Sequence, residues 1–267
     1  MSVLLHLSDT HFGTEQAPVI DALVVLARQQ QPDLLLLSGD ITQRALRSQF
    51  AAARAFTDRL GAPLLAIPGN HDIPLFNLGQ RLFQPYARFS EAFGNTLEPI
   101  HASPDLLVQC VNTTRWYRHK GGEVSAAQIE RVAIRLRTAA PAQLRVVMVH
   151  QPIAVLRATE QHNLLHNHTQ AQQRWAEAGC DLVLGGHIHL PYVMALPGLA
   201  RPMWAVQAGT AVSRRVRAGA ANSINVLHWG KHTAPGRCHI EQWDYTPHKQ
   251  CFSRTLVTDI QLAHPAE

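Results

Sequence analysis

The sequence predicts an α/β fold of four layers, an αββα sandwich in which two mixed β-sheets pack face to face and helices flank them. Two observations lead to this prediction. Short apolar runs alternate with segments of helical periodicity up to residue 184, which is typical of parallel strands joined by helices. Beyond residue 190, four strand-like runs follow one another without helices, and turns with glycine or proline separate several of them, which indicates antiparallel hairpins.

The predicted strands in the first part of the chain are short and apolar. The clearest is 34–37, where four consecutive leucines leave no polar face and therefore predict a strand buried on both sides. The others are 3–7, 63–67, 106–111, 144–149 and 182–184. Apolar residues at helical spacing predict helices at 18–30, 46–60, 78–93, 125–138 and 169–178. Pro85 has no backbone N–H and therefore predicts an interruption within the third helix.

The last part of the chain completes the predicted fold with strands alone. These strands are 203–207, 223–228, 238–245 and 252–257. The sequence contains no internal repeat, low-complexity tract or linker, so we expect the whole chain, 1–267, to form a single domain. Its length of 267 residues and its hydrophobic share of 46% are sufficient for a substantial core.

Composition excludes several classes of protein. The formal charge is +5, but the basic residues are scattered, which does not favour binding to a nucleic acid polymer. The four cysteines form no C-x-x-C pair, which argues against a zinc knuckle or a disulfide scaffold. The N-terminus lacks the basic region of a secretory signal, and no apolar run is long enough to cross a membrane. We therefore expect a cytoplasmic protein that does not bind membranes.

Polar residues able to bind metals follow five of the predicted strands. They are Asp9, His11, Asp40, Asn70, His150, His187 and His189. In open α/β sheets, ligands collect beyond the carboxyl ends of the strands, so we expect these seven side chains to converge. Glycines at 39, 69, 185 and 186 allow the backbone to turn sharply and approach the ligands closely.

The chemistry of these donors favours two metal ions. Oxygen and nitrogen donors without thiolate suit zinc, manganese, iron or cobalt rather than a structural zinc finger. Seven donors are too many for one tetrahedral zinc, but they suit two ions that share a carboxylate and clamp the attacking and leaving oxygens of a substrate. Two divalent ions, the carboxylates of Asp9 and Asp40 and one bridging hydroxide leave a net positive charge, which attracts a phosphate.

The order of the motifs resembles the calcineurin-like metallophosphoesterase superfamily. The motifs are Asp-x-His at 9–11, Gly-Asp at 39–40, Gly-Asn-His-Asp at 69–72, a lone His150 and Gly-Gly-His-x-His at 185–189. The resemblance spans residues 5–189 and continues loosely into the C-terminal strands. Within the superfamily, the Ser-Asp-Thr-His start and the segments 112–115 and 121–128 are most similar to bacterial class III cyclic-nucleotide and glycerophosphodiester phosphodiesterases.

The resemblance implies a role for each residue. The first metal would be held by Asp9, His11, Asp40 and His189. The second would be held by Asp40, Asn70, His150 and His187, with Asp40 as the bridge. His71 would face the leaving oxygen as proton donor or transition-state stabiliser, and Asp72 would orient it through its other ring nitrogen. A metal-bridging hydroxide would attack the phosphorus atom.

The predicted substrate is a small phosphodiester, with cyclic 3′,5′-AMP first and a glycerophosphodiester close behind. A phosphomonoesterase or a nucleotide pyrophosphatase on the same metal pair is the alternative enzyme. A nuclease is less favoured because no basic run is visible, and a non-catalytic scaffold is less favoured because His71 and every ligand are present.

Further residues are candidates for substrate contacts, each with a plainer interpretation. Arg44 and Arg115 would grip a phosphate or ribose, although surface arginines are usually solvated. His162, His166 and His168 precede a predicted helix and would either reach the substrate or lie exposed. The aromatic segment 75–93 would pack into the core, cap the active site or form the contact of a homodimer.

Overall fold

Twelve strands form two six-stranded mixed sheets in the computed structural model, which describes residues 2–230 and 236–263. The strands are β1 (Ser2–Leu7), β2 (Leu34–Leu37), β3 (Leu64–Ala66), β4 (Ile100–Ser103), β5 (Leu106–Cys110), β6 (Leu144–Met148), β7 (Leu182–Gly185), β8 (Tyr192–Ala195), β9 (Trp204–Gln207), β10 (Ser223–Trp229), β11 (Arg237–Thr246) and β12 (Cys251–Gln261). The α-helices are α1 (Ala17–Gln30), α2 (Arg47–Arg59), α3 (Leu78–Phe83), α4 (Ala87–Phe93), α5 (Ala126–Arg137) and α6 (His168–Glu177). Short 3₁₀ turns lie at Asn70–Asp72 and Ala158–Asn163.

The first sheet has the strand order β12-β11-β10-β1-β2-β3. Its strands β1, β2 and β3 run parallel, whereas β10, β11 and β12 pair antiparallel. The second sheet has the order β4-β5-β6-β7-β9-β8, with a parallel centre and an antiparallel strand at each edge. In each sheet, the carboxyl ends of the parallel strands therefore lie at one common edge.

The core consists of three apolar layers, one between the two sheets and one between each sheet and the helices that cover it. In β2, Leu34 and Leu36 face the second sheet, whereas Leu35 and Leu37 face the layer beneath α1 and α2. This alternation follows from the two-residue period of a strand, and it explains why all four leucines are buried. Helices α5 and α6 cover the outer face of the second sheet in the same way. The predicted four-layer αββα fold is confirmed.

Several local differences from the prediction have physical reasons. Strands β4 and β8 were not predicted, because four residues are too few to show the periodicity of a strand. The predicted helix 78–93 is divided into α3 and α4 around Pro85, as expected from the missing N–H of proline. Among the described residues, no helix has the length and apolar character needed to cross a membrane.

The two short helices of segment 75–93 differ in their environment. Phe89 of α4 is buried against Phe50 of α2, with the two rings 6.3 Å apart. By contrast, Phe76 and Phe83 around α3 are 80% and 79% exposed. The core interpretation thus holds for α4, and a cap or a homodimer contact through α3 stays a prediction.

Candidate metal centre

The seven predicted ligands lie in loops at the carboxyl ends of strands from both sheets. Loops after β1, β2 and β3 carry Asp9, His11, Asp40 and Asn70, and loops after β6 and β7 carry His150, His187 and His189. Hydrogen bonds join the two sheets at this edge. The N–H of His187 donates to Oδ2 of Asp9 over 2.9 Å, and Nδ1 of His150 donates to the carbonyl of Ser38 over 2.7 Å. The predicted convergence of the strand ends is therefore present.

Five of the seven residues have a left-handed backbone conformation. The positive φ angles are 52° at Asp9, 41° at His11, 48° at Asp40, 74° at His187 and 57° at His189. Residues other than glycine rarely adopt such angles, and those that do cluster at functional sites. The loops therefore hold their side chains in orientations that a regular strand or helix does not provide.

One group of side chains contains Asp9, His11 and His189. Nε2 of His189 lies 3.3 Å from Oδ1 of Asp9 and 3.3 Å from Nε2 of His11. Nε2 of His11 lies 3.7 Å from the same carboxylate oxygen. Three donor atoms of one group thus point at one locus, as metal ligands do.

A second group contains Asp40, His150 and His187, with Asn70 beside it. Nε2 of His150 lies 3.3 Å from Oδ1 of Asp40 and 3.3 Å from Oδ1 of Asn70. The rings of His150 and His187 meet edge to face with their centroids 5.1 Å apart. Ligand atoms of Asp40, His150 and His187 all lie within 4.8 Å of one another.

Asp40 lies between the two groups. Its Oδ1 atom is near His150, whereas its Oδ2 atom is 3.8 Å from Nε2 of His11. The carboxylate is almost completely buried. One carboxylate whose two oxygens face two histidine groups is the arrangement that a bridging ligand requires.

Burial and charge make these residues a suitable environment for cations. Burial alone would raise the pKa of Asp9 and of Asp40, but the charges of His189 and His150, respectively, hold both well below their ordinary range. Burial alone would lower the pKa of His150, but the charge of Asp40 raises it to about 9. Burial, and next the charge of His150, lowers the pKa of His187 to about 4. Both carboxylates are thus ionised at neutral pH.

The residues fit two metal ions on two grounds. Two buried atoms of this group, Oδ1 of Asp9 and Nδ1 of His187, have no hydrogen-bond partner among the described residues. Buried polar atoms in proteins normally have a partner, so such a concentration at one place indicates a missing one. In addition, the donor set contains carboxylate, amide and imidazole groups without thiolate, which suits manganese, iron, zinc or cobalt.

Two histidines are oriented by hydrogen bonds on the side away from the centre. Nδ1 of His150 donates to the carbonyl of Ser38. Nδ1 of His189 lies 2.8 Å from Oγ1 of Thr210 and also contacts the carbonyl of Arg215. With Nδ1 engaged in this way, Nε2 is directed into the centre, which is the usual means of fixing a metal-binding imidazole.

His71 lies at the edge of the centre, and Asp72 does not orient it. The backbone N–H of His71 donates to Oδ1 of Asp40 over 2.8 Å, and its ring Nδ1 lies 3.1 Å from the carbonyl of Gln43. The prediction that Asp72 orients this ring is wrong, because its carboxylate accepts hydrogen bonds from other groups. The carbonyl of Gln43 contacts the ring instead.

Asp72 fastens two loops together. Its carboxylate accepts hydrogen bonds of 2.8 to 2.9 Å from the backbone N–H groups of Gly69, Ile41 and Thr42 and from the hydroxyl of Thr42. Burial, and next the charge of Asp40, raises the pKa of Asp72 to about 6. The residue thus positions the loop that carries Asn70 and His71.

A cleft of about 210 Å³ adjoins the centre. It is lined by Gln43, Arg44, Asn70, His71, Ile73, Leu75, His119 and Arg215. Of the predicted substrate residues, only Arg44 belongs to this lining. Sequence reasoning missed His119 and Arg215, although the run Arg-Arg-Val-Arg at 214–217 is a visible signal.

The other predicted substrate residues make contacts elsewhere. The guanidinium of Arg115 donates to the carbonyls of Asn112 and Thr114 and to Oε1 of Gln128. His162 and His168 each use Nδ1 to contact a backbone carbonyl three residues earlier. Nε2 of His166 lies 3.1 Å from Nη1 of Arg118. None of the four residues belongs to the cleft lining.

Comparisons with known proteins agree with this site. A probable cyclic nucleotide phosphodiesterase from a Synechococcus strain is 39% identical over 62 residues, covering 23% of this chain and 24% of that protein. The glycerophosphodiester phosphodiesterase GpdQ of Enterobacter lignolyticus is 35% identical over 83 residues, covering 26% of this chain and 29% of that protein. The chain thus matches less than a third of the length of either relative.

A solved structure and a family model extend the likeness. The crystal structure of a dimetal phosphatase from Danio rerio superposes with a TM-score of 0.70 at 12% identity, covering 98% of this chain and 99% of that chain. At this identity the likeness concerns the fold. The model of the calcineurin-like phosphoesterase family matches residues 2–191, which include all seven predicted ligands and His71. The predicted resemblance is confirmed, and the chain belongs to the calcineurin-like phosphoesterase family.

Proposed function

We propose that this protein is a metal-dependent hydrolase of phosphoesters and that its preferred substrate is a small phosphodiester. The observation that carries the proposal is the position of Asp40, whose two carboxylate oxygens face two separate histidine groups. A pair of ions sharing one carboxylate is the arrangement of two-metal phosphoester hydrolases.

The residues would divide between two ions. Asp9, His11, Asp40 and His189 would hold one ion, and Asp40, Asn70, His150 and His187 the other. When bound, such ions supply Lewis-acid activation of water and neutralise charge on the phosphoryl oxygens. The ionised carboxylates of Asp9 and Asp40 supply the negative charge that attracts the ions to this edge of the sheets.

His71 would act on the leaving oxygen. Its backbone is held by Asp40 and its Nδ1 by the carbonyl of Gln43, so the ring has a fixed orientation. Its Nε2 atom faces the cleft side, 3.4 Å from Nη1 of Arg215. A group held in this way is suited to protonating a leaving oxygen or stabilising its charge.

Two observations support a small phosphodiester as substrate. The cleft of about 210 Å³ is small, which suits one ester arm of a small molecule. Two of the curated relatives are named as phosphodiesterases of cyclic nucleotides and of glycerophosphodiesters. Cyclic 3′,5′-AMP and glycerophosphodiesters are therefore the first substrates to test.

The test compares a diester with a monoester in Mn(II)-loaded protein. We expect kcat/KM for bis-p-nitrophenyl phosphate to exceed that for p-nitrophenyl phosphate by about tenfold or more. The Asp40→Ala variant, which loses the shared carboxylate, serves as the inactive control. A preference for the monoester would overturn the diester proposal and favour a phosphomonoesterase. Absence of turnover with both compounds, with cyclic AMP and with glycerophosphocholine would overturn the hydrolase proposal.

A further inference from the structure

We infer that the cleft beside the metal centre is a second anion-binding subsite, formed chiefly by Arg215 with Arg44, and that the substrate carries a further phosphate group on one ester arm. The inference rests on the proposed function, because it names the class of phosphoester that the site would prefer. It adds a determinant of specificity that lies outside the metal ligands and outside His71.

Arg215 links the metal centre to the cleft. Its carbonyl contacts Nδ1 of His189, and its backbone N–H donates to Oγ of Ser213 over 3.2 Å. Its half-buried side chain then crosses the cleft, where Nη1 donates to Oε1 of Gln43 over 2.8 Å and lies 3.4 Å from Nε2 of His71. The backbone thus serves a metal ligand, while the guanidinium faces the space that a substrate would occupy.

The positive charge of Arg215 has no carboxylate partner within 4.0 Å among residues 2–230 and 236–263. Arg217, only two residues away, is paired with Glu160. Arg118 is paired with Glu123 over 3.0 Å. Hydrogen bonds from a guanidinium group to a carboxylate or phosphate are strong, so an external anion in the cleft would give Arg215 the anionic partner that it lacks.

The rest of the cleft is also free of acidic residues and carries further positive charge. None of its eight lining residues is acidic. The guanidinium of Arg44 lies 5.4 Å from the centre of the Phe76 ring. Within the described part of the chain, Arg44 also makes no ion pair. Burial, and next the charge of Arg81, lowers the pKa of His119, so a further cation lies close to this lining residue. The cleft therefore presents several positive charges and no compensating negative charge.

This charge exceeds what one phosphodiester group needs. A diester phosphate carries a single negative charge, and the proposed metal pair would already face it. Asn70 and His71 belong both to the proposed metal centre and to the lining of the cleft. With the scissile phosphate at these two residues, the guanidinium groups of Arg215 and Arg44 would stabilise a second anionic group in the cleft. The fork of N–H donors on arginine matches phosphate as well as carboxylate. Because the proposed substrate is itself a phosphoester, we take the additional group to be a phosphate.

The test uses two esters that differ only by one phosphate. Thymidine 5′-(p-nitrophenyl phosphate) has one charge, and its 3′-phosphorylated counterpart has the same leaving group with an added phosphate. In Mn(II)-loaded protein, we expect kcat/KM to be about tenfold to a hundredfold higher for the 3′-phosphorylated ester, the range expected for hydrogen bonds to a charged group. Equal kcat/KM values would overturn the inference.

Variants assign the effect to the cleft. Arg215→Gln should reduce the advantage of the 3′-phosphorylated ester to about twofold or less, Arg44→Gln should reduce it in part, and Arg215→Lys should retain a part of it. The matched control is Arg214→Gln, which removes an exposed charge from the neighbouring residue. An equal loss for both esters in Arg215→Gln would assign Arg215 to the scissile phosphate and overturn the subsite.

A binding measurement separates this inference from the proposed function. Isothermal titration of the Mn(II)-loaded protein with thymidine 3′,5′-bisphosphate and with thymidine 5′-phosphate requires no turnover. We expect the bisphosphate to bind about tenfold more tightly and the difference to disappear in Arg215→Gln. If neither ester is hydrolysed but this difference is found, the proposed function fails and the subsite stands. If hydrolysis occurs and the two nucleotides bind equally, the subsite fails alone.

Discussion

A methyl group at Gly69 tests how closely the loops of the metal centre approach one another. A Cβ atom at this position would lie 2.0 Å from the backbone nitrogen of Asp40 and 2.2 Å from its Oδ1 atom. Both partners belong to the residue proposed as the bridge. Because contacts of a Cβ atom below 3.0 Å essentially never occur, the loop at 69 and the loop at 40 must separate by about 1 Å.

The size of this displacement sets the expected effect of Gly69→Ala. A shift of 1 Å in a catalytic group costs about a hundredfold in rate, so we expect kcat/KM for bis-p-nitrophenyl phosphate to fall by about that factor. Overpacking of a well-packed region also lowers the free energy of unfolding by about 1–3 kcal/mol. Metal content should fall as well, since Asp40 contacts both histidine groups.

The assay measures turnover, metal content by elemental analysis and the melting temperature in the same preparations. Gly79→Ala is the matched control, because the nearest atom to its added Cβ would be Oδ1 of Asn77 at 3.8 Å, an ordinary contact. We expect this control to behave like the unmodified protein. If Gly69→Ala retained two bound ions and the turnover of Gly79→Ala, the close approach of the two loops would have no role in the site.

Four further predictions concern the proposed metal ligands and His71. Chelation should abolish turnover and Mn(II) should restore it; full turnover in protein shown to be metal-free by elemental analysis would contradict the two-metal proposal. Asp40→Asn should lower both metal content and turnover, and two tightly bound ions with an unchanged rate would count against a bridge. His71→Ala should lower turnover by about 10²–10⁴-fold while the metal content stays near two ions. The loss should be smaller for p-nitrophenyl leaving groups than for alcohols, and a loss of metal would show that His71 is a ligand. Mn(II) affinity measured by titration calorimetry should rise between pH 7 and about 9. The raised pKa of His150 keeps its imidazole protonated below about pH 9, and a metal ion must displace that proton. An affinity independent of pH would refute the role of His150 as a ligand.

The position of the proposed metal ligands at one edge of the sheets could be predicted from the sequence because their signal is local. Asp40 follows four leucines whose burial is unambiguous, and Gly39 beside it permits the turn. The end of a buried parallel strand has one predictable location in such a fold, so a polar residue placed there is also placed in space. The fold class could be predicted because short apolar runs alternate with segments of helical periodicity in the first part of the chain.

The cleft could not be predicted in this way. Arg215 is 26 positions beyond His189 in the chain, and its contact with Gln43 depends on how the loop after β9 crosses the sheet edge. The error at Asp72 has a similar origin, since its carboxylate contacts Ile41 and Thr42 of a different loop. Contacts of this kind depend on tertiary packing rather than on periodicity or on the spacing of residues in a motif.

The division of ligands between the two sheets has a mechanical consequence. Each proposed ion takes donors from both halves of the sandwich: Asp9 and His11 face His189, and Asn70 faces His150. Each ion would therefore work as a cross-link over the seam, in addition to the apolar layer that joins the sheets further inside. A protein fastened in this way resists shearing of one sheet over the other, and its two halves unfold as one unit for as long as the cross-links hold.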